Sequence, residues 1–492
     1  MRQIIFVVSF LFVVFPSFGQ QTFEDFVDLT NERYKSFVDE HNNQFEHFTK
    51  EQNDEFAAFV EEQWQLFEDF KKSSSPFTTP KFQKSPVAPK TNSGWSFSFD
   101  GVIEFIVKSI PTINRQSNSV SNMQNVVVDF YGEELSFDVS DNLRLKVNSI
   151  SELSVANYFR RISDYSKETS ALWNAMEGKA VEFGLNEWGR FLLTKTIADE
   201  LFENDDDKVL FCFYMLRNMG GYKAKVGRNT DGNNLVLLLA IDNDKDVYTY
   251  GFFDFIEEGK LIKYYSVYGE NSDKVYTFGF NNQDLRLSQM GLDFNKPLSI
   301  GECDRLRELK INSLNTVIDL PFNSKNIAFL DDVPLTVFPI YFVSAMPMES
   351  QVILNEKFGN LKNEYSVLES INILLNFVQT AFDYKTDDEQ FGREKYFYPE
   401  EVIAYPYSDC EDRSALFGWL VHKYLNLSVI GLQYSGHVAT AVCLNDDVNI
   451  SGAKYFNYRG AKYYVCDPTY VNAKLGKEMS DFENITPKVI KL

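Results

Sequence analysis

Aromatic residues recur every eleven positions from Phe23 onward: Phe23 and Phe26, Tyr34 and Phe37, Phe45 and Phe48, Phe56 and Phe59, Phe67 and Phe70. Val27, Val38, Thr49 and Val60 follow the second aromatic of successive pairs, so the three positions share one helix face. This period corresponds to ~3.67 residues per turn and predicts a straight or slightly right-handed superhelix rather than a heptad coiled coil. A helix over residues 22–72 would be ~75 Å long. Each aromatic gains ~1.5–3 kcal/mol on burial, so such a stripe cannot stay in water. The pattern therefore predicts a covering partner: self-association, another protein, or the rest of this chain. His41, Gln52 and Gln63 fall within the same face and would form polar layers that set register.

The periodicity stops at residues 73–94, a Ser-, Thr-, Pro- and Lys-rich stretch without acidic residues, which reads as an extended linker. Residues 95–347 form a mixed α/β region. Strand patterns cover Asn125–Phe130 and Leu143–Val147, and a helical one surrounds Val155–Ile162. From Trp188 the order of elements parallels the C-terminal unit expected over 348–492. A helix at Phe191–Ala198 parallels Leu374–Phe382, and Val209–Leu216 parallels Ala415–Val421. Strands at Tyr222–Val226 and Leu235–Ile241 parallel Leu427–Leu432 and His437–Cys443. This fits either a degenerate duplicate or an unrelated α/β segment. Residues 298–347, with strand-like runs at Thr316–Leu320 and Leu335–Val343, read as a bridge. The fold class expected is α+β.

The candidate chemistry lies in Tyr407-Ser408-Asp409-Cys410-Glu411-Asp412-Arg413-Ser414. Ser408 with Glu411 reads as a capping box, and the helical spacing of Ala415, Leu416, Trp419, Leu420 and Tyr424 follows it. Cys410 then falls at the second helical position, where unpaired N–H groups and the helix dipole favour a thiolate. The neighbouring Asp409, Glu411 and Asp412 oppose that by raising a thiol pKa. A thiolate also needs a base and a group that orients the base. His437 opens the strand His437–Cys443 after the turn Tyr434-Ser435-Gly436, whereas His422 reads as a surface residue in mid-helix. A second strand, Lys462–Cys466, ends in Asp467-Pro468. Antiparallel pairing of the two strands would bring His437 and Asp467 together.

The order Cys at a helix start, His at a strand start and Asp in an Asp-Pro at a strand end resembles the transglutaminase-like superfamily of papain-like fold. The resemblance spans roughly residues 365–475 and is closest to the bacterial transglutaminase-like cysteine peptidases. It rests on Asp409-Cys410-Glu411-Asp412, Gly436-His437-Val438-Ala439 and Cys466-Asp467-Pro468-Thr469. It implies Cys410 as nucleophile, His437 as general base and acid, and Asp467 as the group orienting the imidazole. Upstream, Phe377–Tyr384 and Tyr398–Ile403 resemble the same family's approach to the Cys helix, with Gln379 a candidate oxyanion donor or a plain surface amide. The implied activity is cleavage or transfer of a peptide or isopeptide amide through a thioester. The alternative is a catalytically silent binding or scaffold protein.

Composition narrows the partners. A net charge of −22 argues against nucleic acid or an anionic membrane as the target. Residues 1–19 read as a secretory signal: Arg2, an apolar run from Ile4 to Phe15, then Pro16-Ser17-Phe18-Gly19, with the cut before Gln20 or Gln21. This predicts export to the periplasm or beyond the cell, with no membrane span after signal removal. The chain has five Cys, and Cys212, Cys303, Cys443 and Cys466 could form two bridges that spare Cys410. Burial is the expectation for Cys212 and Cys443. No phosphate-cradling Gly loop, zinc-spaced Cys pair or calcium loop is present, so neither a cofactor nor a metal is expected.

Overall fold

The computed structural model describes residues 122–491, apart from 230–233, 243–245, 270–274, 279–285, 295, 344–345, 445–449 and 483–484. The signal, the aromatic helix, the linker and the start of the mixed region lie outside the described residues. The described chain is a mixture of helices and mainly antiparallel sheets, an α+β protein. No described helix is long and apolar enough to cross a membrane.

Two successive halves repeat one topology. The first opens with a hairpin, β1 (Met123–Phe130) and β2 (Glu133–Ser140). After its helices come β3 (Ala224–Asn229), β4 (Leu235–Ala240), β5 (Phe252–Glu257), β6 (Lys260–Tyr268) and β7 (Val275–Thr277), in the sheet order β5-β6-β4-β3-β7. The second opens with the hairpin β8 (Arg305–Ile311) and β9 (Thr316–Phe322), and holds a short parallel pair, β10 (Asp383–Tyr384) and β11 (Tyr407–Ser408). It closes with β12 (Val429–Tyr434), β13 (His437–Cys443), β14 (Tyr455–Tyr458), β15 (Ala461–Cys466) and β16 (Lys488–Lys491), in the order β14-β15-β13-β12-β16. Each strand of one five-stranded sheet thus has a counterpart in the other.

The helices correspond as well. In the first half α1 (Glu187–Leu201) precedes α2 (Asp205–Tyr214); in the second α3 (Val367–Ala381) precedes α4 (Cys410–Leu420). Both α2 and α4 run into a π-helical stretch of five residues, Met215–Met219 and Val421–Leu425. The third residue of each, Asp207 and Asp412, is a buried carboxylate that accepts an upstream backbone N–H, from Val147 (2.7 Å) and Phe397 (2.9 Å).

Helix α4 is apolar on nearly every side because two cores meet at it. Ala415 joins the core built on Trp188, Phe211 and Leu237, whereas Leu416, Phe417 and Leu420 join that built on Leu309, Phe358 and Leu374. Gly418 permits the close approach: a Cβ there would lie 2.4 Å from the Phe342 ring. Burial of this kind contributes roughly 1.5–3 kcal/mol per large apolar side chain, which makes the helix that starts at Cys410 a fixed platform.

Several expectations are corrected. Leu143–Val147 is not a strand but a 3-10 turn followed by irregular chain, in which Val147 N–H is consumed by Asp207. Leu335–Val343 is mostly not a strand either. Thr336 makes one bridge to Val247, and Pro339, whose fixed φ suits a helix start, opens the helix Pro339–Val343. Residues 298–347 do not form a separate bridge. Leu309, Ile311, Ile318 and Leu320 pack into the C-terminal core, while Phe329, Phe338 and Phe342 pack into the preceding one. None of the five Cys is joined in a disulfide, and Cys443 is half-buried rather than buried.

Within the second half, Glu400 is buried and accepts hydrogen bonds from Asn323 N–H (3.2 Å) and Asn326 Nδ2 (3.1 Å). Burial pushes its carboxyl up to about 8. Because the folded pKa lies above the unfolded one, its contribution is complete below the ordinary Glu range and is lost as pH rises through about 8. Urea unfolding should show stability falling by roughly 2–3 kcal/mol between pH 6 and pH 9 from this group, and Glu400→Gln should remove that part of the slope.

Candidate functional site

The site is assembled where β13, the loop after β15 and the first turn of α4 converge. The β12–β13 turn is Ser435-Gly436, and Gly436 has φ +72, a left-handed conformation that glycine adopts without a Cβ penalty. That turn delivers His437 to the start of β13. Antiparallel pairing of β13 with β15 sets Thr440 opposite Cys466, so Asp467 emerges beside His437. His437 Nε2 lies 2.9 Å from Asp467 Oδ2. The other carboxylate oxygen, Oδ1, accepts from Thr469 N–H (2.9 Å), Thr469 Oγ1 (2.7 Å) and Tyr470 N–H (3.1 Å). Asp467 is thus locked by its own Asp-Pro-Thr turn, and an ionised carboxylate there favours the tautomer with hydrogen on Nε2 and a lone pair on Nδ1.

The imidazole is also held flat. Phe482 stacks on it with ring centroids 4.9 Å apart and planes 7° from parallel, and Tyr434 lies near it at 6.2 Å. No sequence pattern announced Phe482, which sits in a short 3-10 turn before β16.

Cys410 is the first residue of α4, not the second, because the N-cap is Asp409. Asp409 and Asp412 form the capping box, and Asp409 N–H donates to Asp412 Oδ2 at 3.2 Å. Ser408 is in β11, where its hydroxyl accepts from the buried Arg413 Nε at 3.1 Å. Arg413 Nη2 also donates to the Phe382 carbonyl at 2.8 Å, tying the start of α4 to the end of α3. Helix α4 is joined to β13 twice: Val438 N–H donates to Cys410 Sγ (3.4 Å), and Ser414 Oγ donates to Val438 O (3.3 Å). The sulfur is therefore one residue from His437 along the strand. In this geometry its proton goes to Glu411 Oε2, 2.7 Å away, and among the described residues no hydrogen bond joins Sγ to the imidazole.

Electrostatics match that arrangement. Burial, then the Glu411 carboxylate, then Asp409 push the Cys410 thiol well above its ordinary range, while the Val438 N–H pulls it down. Burial with Glu411 and Asp387 also raises Asp409, and burial with Glu394 and Glu411 pushes Asp387 up to about 7. Asp387, Asp409 and Glu411 have ligand oxygens within 4.8 Å of one another, hard donors of the kind that hold a divalent cation. The sequence reading expected no metal and did not single out Asp387, which folding brings to the other two.

Cys410 and His437 open into one cavity of about 780 Å³, with Asp467 buried behind the imidazole. Gln379 does not take the oxyanion role. Its Nε2 donates to Asp467 O (2.9 Å) and Ala473 O (3.0 Å), and its Oε1 accepts from Asn472 N–H (3.1 Å). It is a buried clamp on the loop that carries Asp467, neither donor to the cavity nor surface amide.

The first half has the same frame without the Cys, His and Asp of the site. Asp205 occupies the position of Cys410, and Asn234, next to Leu235, occupies that of His437. Leu235 N–H donates to Asp206 Oδ1 (2.7 Å), as Val438 N–H does to the sulfur. The counterpart of Asp467 is Gly269, with φ +95, where a Cβ would lie 2.4 Å from the Leu235 carbonyl. The chain matches no family model, no curated protein and no solved structure.

Proposed function

We propose that the protein is an exported cysteine acyl-transfer enzyme of transglutaminase-like, papain-like fold, acting on peptide or isopeptide amides. The observation that carries this reading is the His437–Asp467 pair facing the same cavity as a cysteine at a helix N-terminus. In the proposed cycle His437 Nδ1 takes the thiol proton, and Cys410 Sγ attacks the amide carbonyl carbon. The oxyanion is met by the backbone N–H groups at the start of α4 that the Asp409–Asp412 capping box leaves over. The C–N bond breaks, the imidazolium gives its proton to the departing amine, and a thioester remains. Water or a second amine, deprotonated by His437, then releases the acyl group. Such proton transfer supplies roughly a hundred- to ten-thousand-fold in rate.

One observation favours a second reading, a silent scaffold: the Cys410 S–H donates to Glu411 rather than to the imidazole. A thioester trap separates the two. Incubation with a mixed polypeptide substrate and hydroxylamine should yield acyl hydroxamates that disappear in Cys410→Ala. Absence of hydroxamate, with Cys410 alkylated no faster than a small free thiol, would support the scaffold.

A further inference from the structure

We infer that the cavity at Cys410 recognises a lysine or arginine side chain on the polypeptide it acts on, seating the cation between a carboxylate wall and tyrosine rings. That the bound polypeptide is also the reacting one rests on the acyl-transfer reading; the binding itself does not. One wall carries Asp387, Asp388, Glu394, Asp409 and Glu411, while the basic groups that line the cavity are Lys488 and His437, the latter engaged by Asp467. Glu394 stands beside the Glu411 carboxylate, with Tyr396 next to it. Asp409 lines the cavity and is 6 % exposed, and its Oδ1 has no hydrogen-bond partner among the described residues.

The remaining lining fits a long cationic side chain better than a bare ion. Tyr248, Tyr384 and Tyr396 present aromatic rings, and Val337, Phe338 and Pro339 an apolar surface. Ring faces attract ammonium and guanidinium groups, and the aliphatic stems of Lys and Arg cover apolar surface. A volume of about 780 Å³ is that of a site for side chains, not for an ion alone. An acidic peptide would meet like charge, and a neutral one would leave the wall uncompensated. Tyr248 lies in the first half, held where Tyr248 N–H donates to Leu335 O at 2.8 Å. The half without the cysteine therefore helps to read the substrate.

The test uses the full chain carrying Cys410→Ala, so that turnover cannot intervene, with a chelator present. Calorimetric titration would compare short Ala/Gly/Ser peptides that differ only in a central Lys, Gln or Glu. The Lys peptide should bind about tenfold or more tighter than the Gln peptide, and the Glu peptide weakest. The preference should shrink severalfold in Glu394→Gln, in the exposed-residue variant Asp388→Asn and in Tyr248→Leu. Equal affinity for the three peptides, or a preference untouched by all three substitutions, overturns the inference. So does uptake of calcium, titrated separately without the chelator, in a protein that shows no preference for lysine. Because the variant lacks the sulfur, failure here leaves the hydroxamate result unaffected, and failure of that result leaves this binding unaffected.

Discussion

Glu411→Gln is expected to speed alkylation of Cys410 about tenfold near neutral pH. Glu411 accepts a hydrogen bond from the thiol at 2.7 Å, and after burial it is the largest cause of the raised thiol pKa. The amide keeps the shape and removes the charge, so the thiolate is no longer opposed by an anion in contact with it. Each unit by which the pKa falls gives about tenfold more thiolate, partly offset by its lower intrinsic nucleophilicity. Freed from Glu411, the S–H can turn toward Nδ1 of His437. Iodoacetamide kinetics followed by intact mass would measure this. An unchanged or slower rate would mean that the carboxylate does not hold the thiol in its neutral form.

Asp467→Asn is expected to lower turnover by roughly a thousandfold or more with little change in melting temperature. Oδ1 of Asp467 accepts three hydrogen bonds from Thr469 and Tyr470, and Oδ2 faces His437 Nε2. An asparagine satisfies the three donors only with its carbonyl in the Oδ1 position, which turns its NH₂ toward Nε2. The imidazole must then carry its hydrogen on Nδ1, the nitrogen that should accept the thiol proton. The loss should appear in kcat more than in KM, since no substrate contact is removed. Undiminished kcat in a folded variant would remove Asp467 from the account.

What the sequence disclosed and what it concealed follow from how far each signal reaches. Cys410, His437 and Asp467 each stand at the end of an element marked by local chemistry: a capping pair, a Gly turn and an Asp-Pro. Strand alternation was enough to pair β13 with β15. The N-cap was displaced by one residue because two overlapping pairs, Ser408–Glu411 and Asp409–Asp412, obey the same local rule. The choice is made by Arg413, whose buried guanidinium claims the Ser408 hydroxyl. Gln379 was misread because its partners, Asp467 and Ala473, lie far along the chain. Phe482 and Asp387 are set by tertiary packing and carry no local mark. In Leu335–Val343 the apolar run suited a strand by composition, but Pro339 and burial against α4 made most of it helical.

The repeated topology changes what the first half is for. Its frame reproduces the turn, helix and strand geometry of the second, yet Gly269 leaves no room for an orienting carboxylate and Asp205 replaces the sulfur. What it contributes is the core of Trp188, Phe211 and Leu237, into which Ala415 of α4 packs, and Tyr248 in the cavity wall.

The central claim is that His437 activates Cys410. The measurement that addresses it most directly is the rate at which a peptide vinyl sulfone modifies Cys410, followed by peptide mapping from pH 5 to pH 10 in the natural protein and in His437→Ala. The account predicts modification near neutral pH that falls about a hundredfold in the variant, leaving only the slow rise toward high pH of an isolated thiol. Superimposable profiles for the two proteins would contradict it.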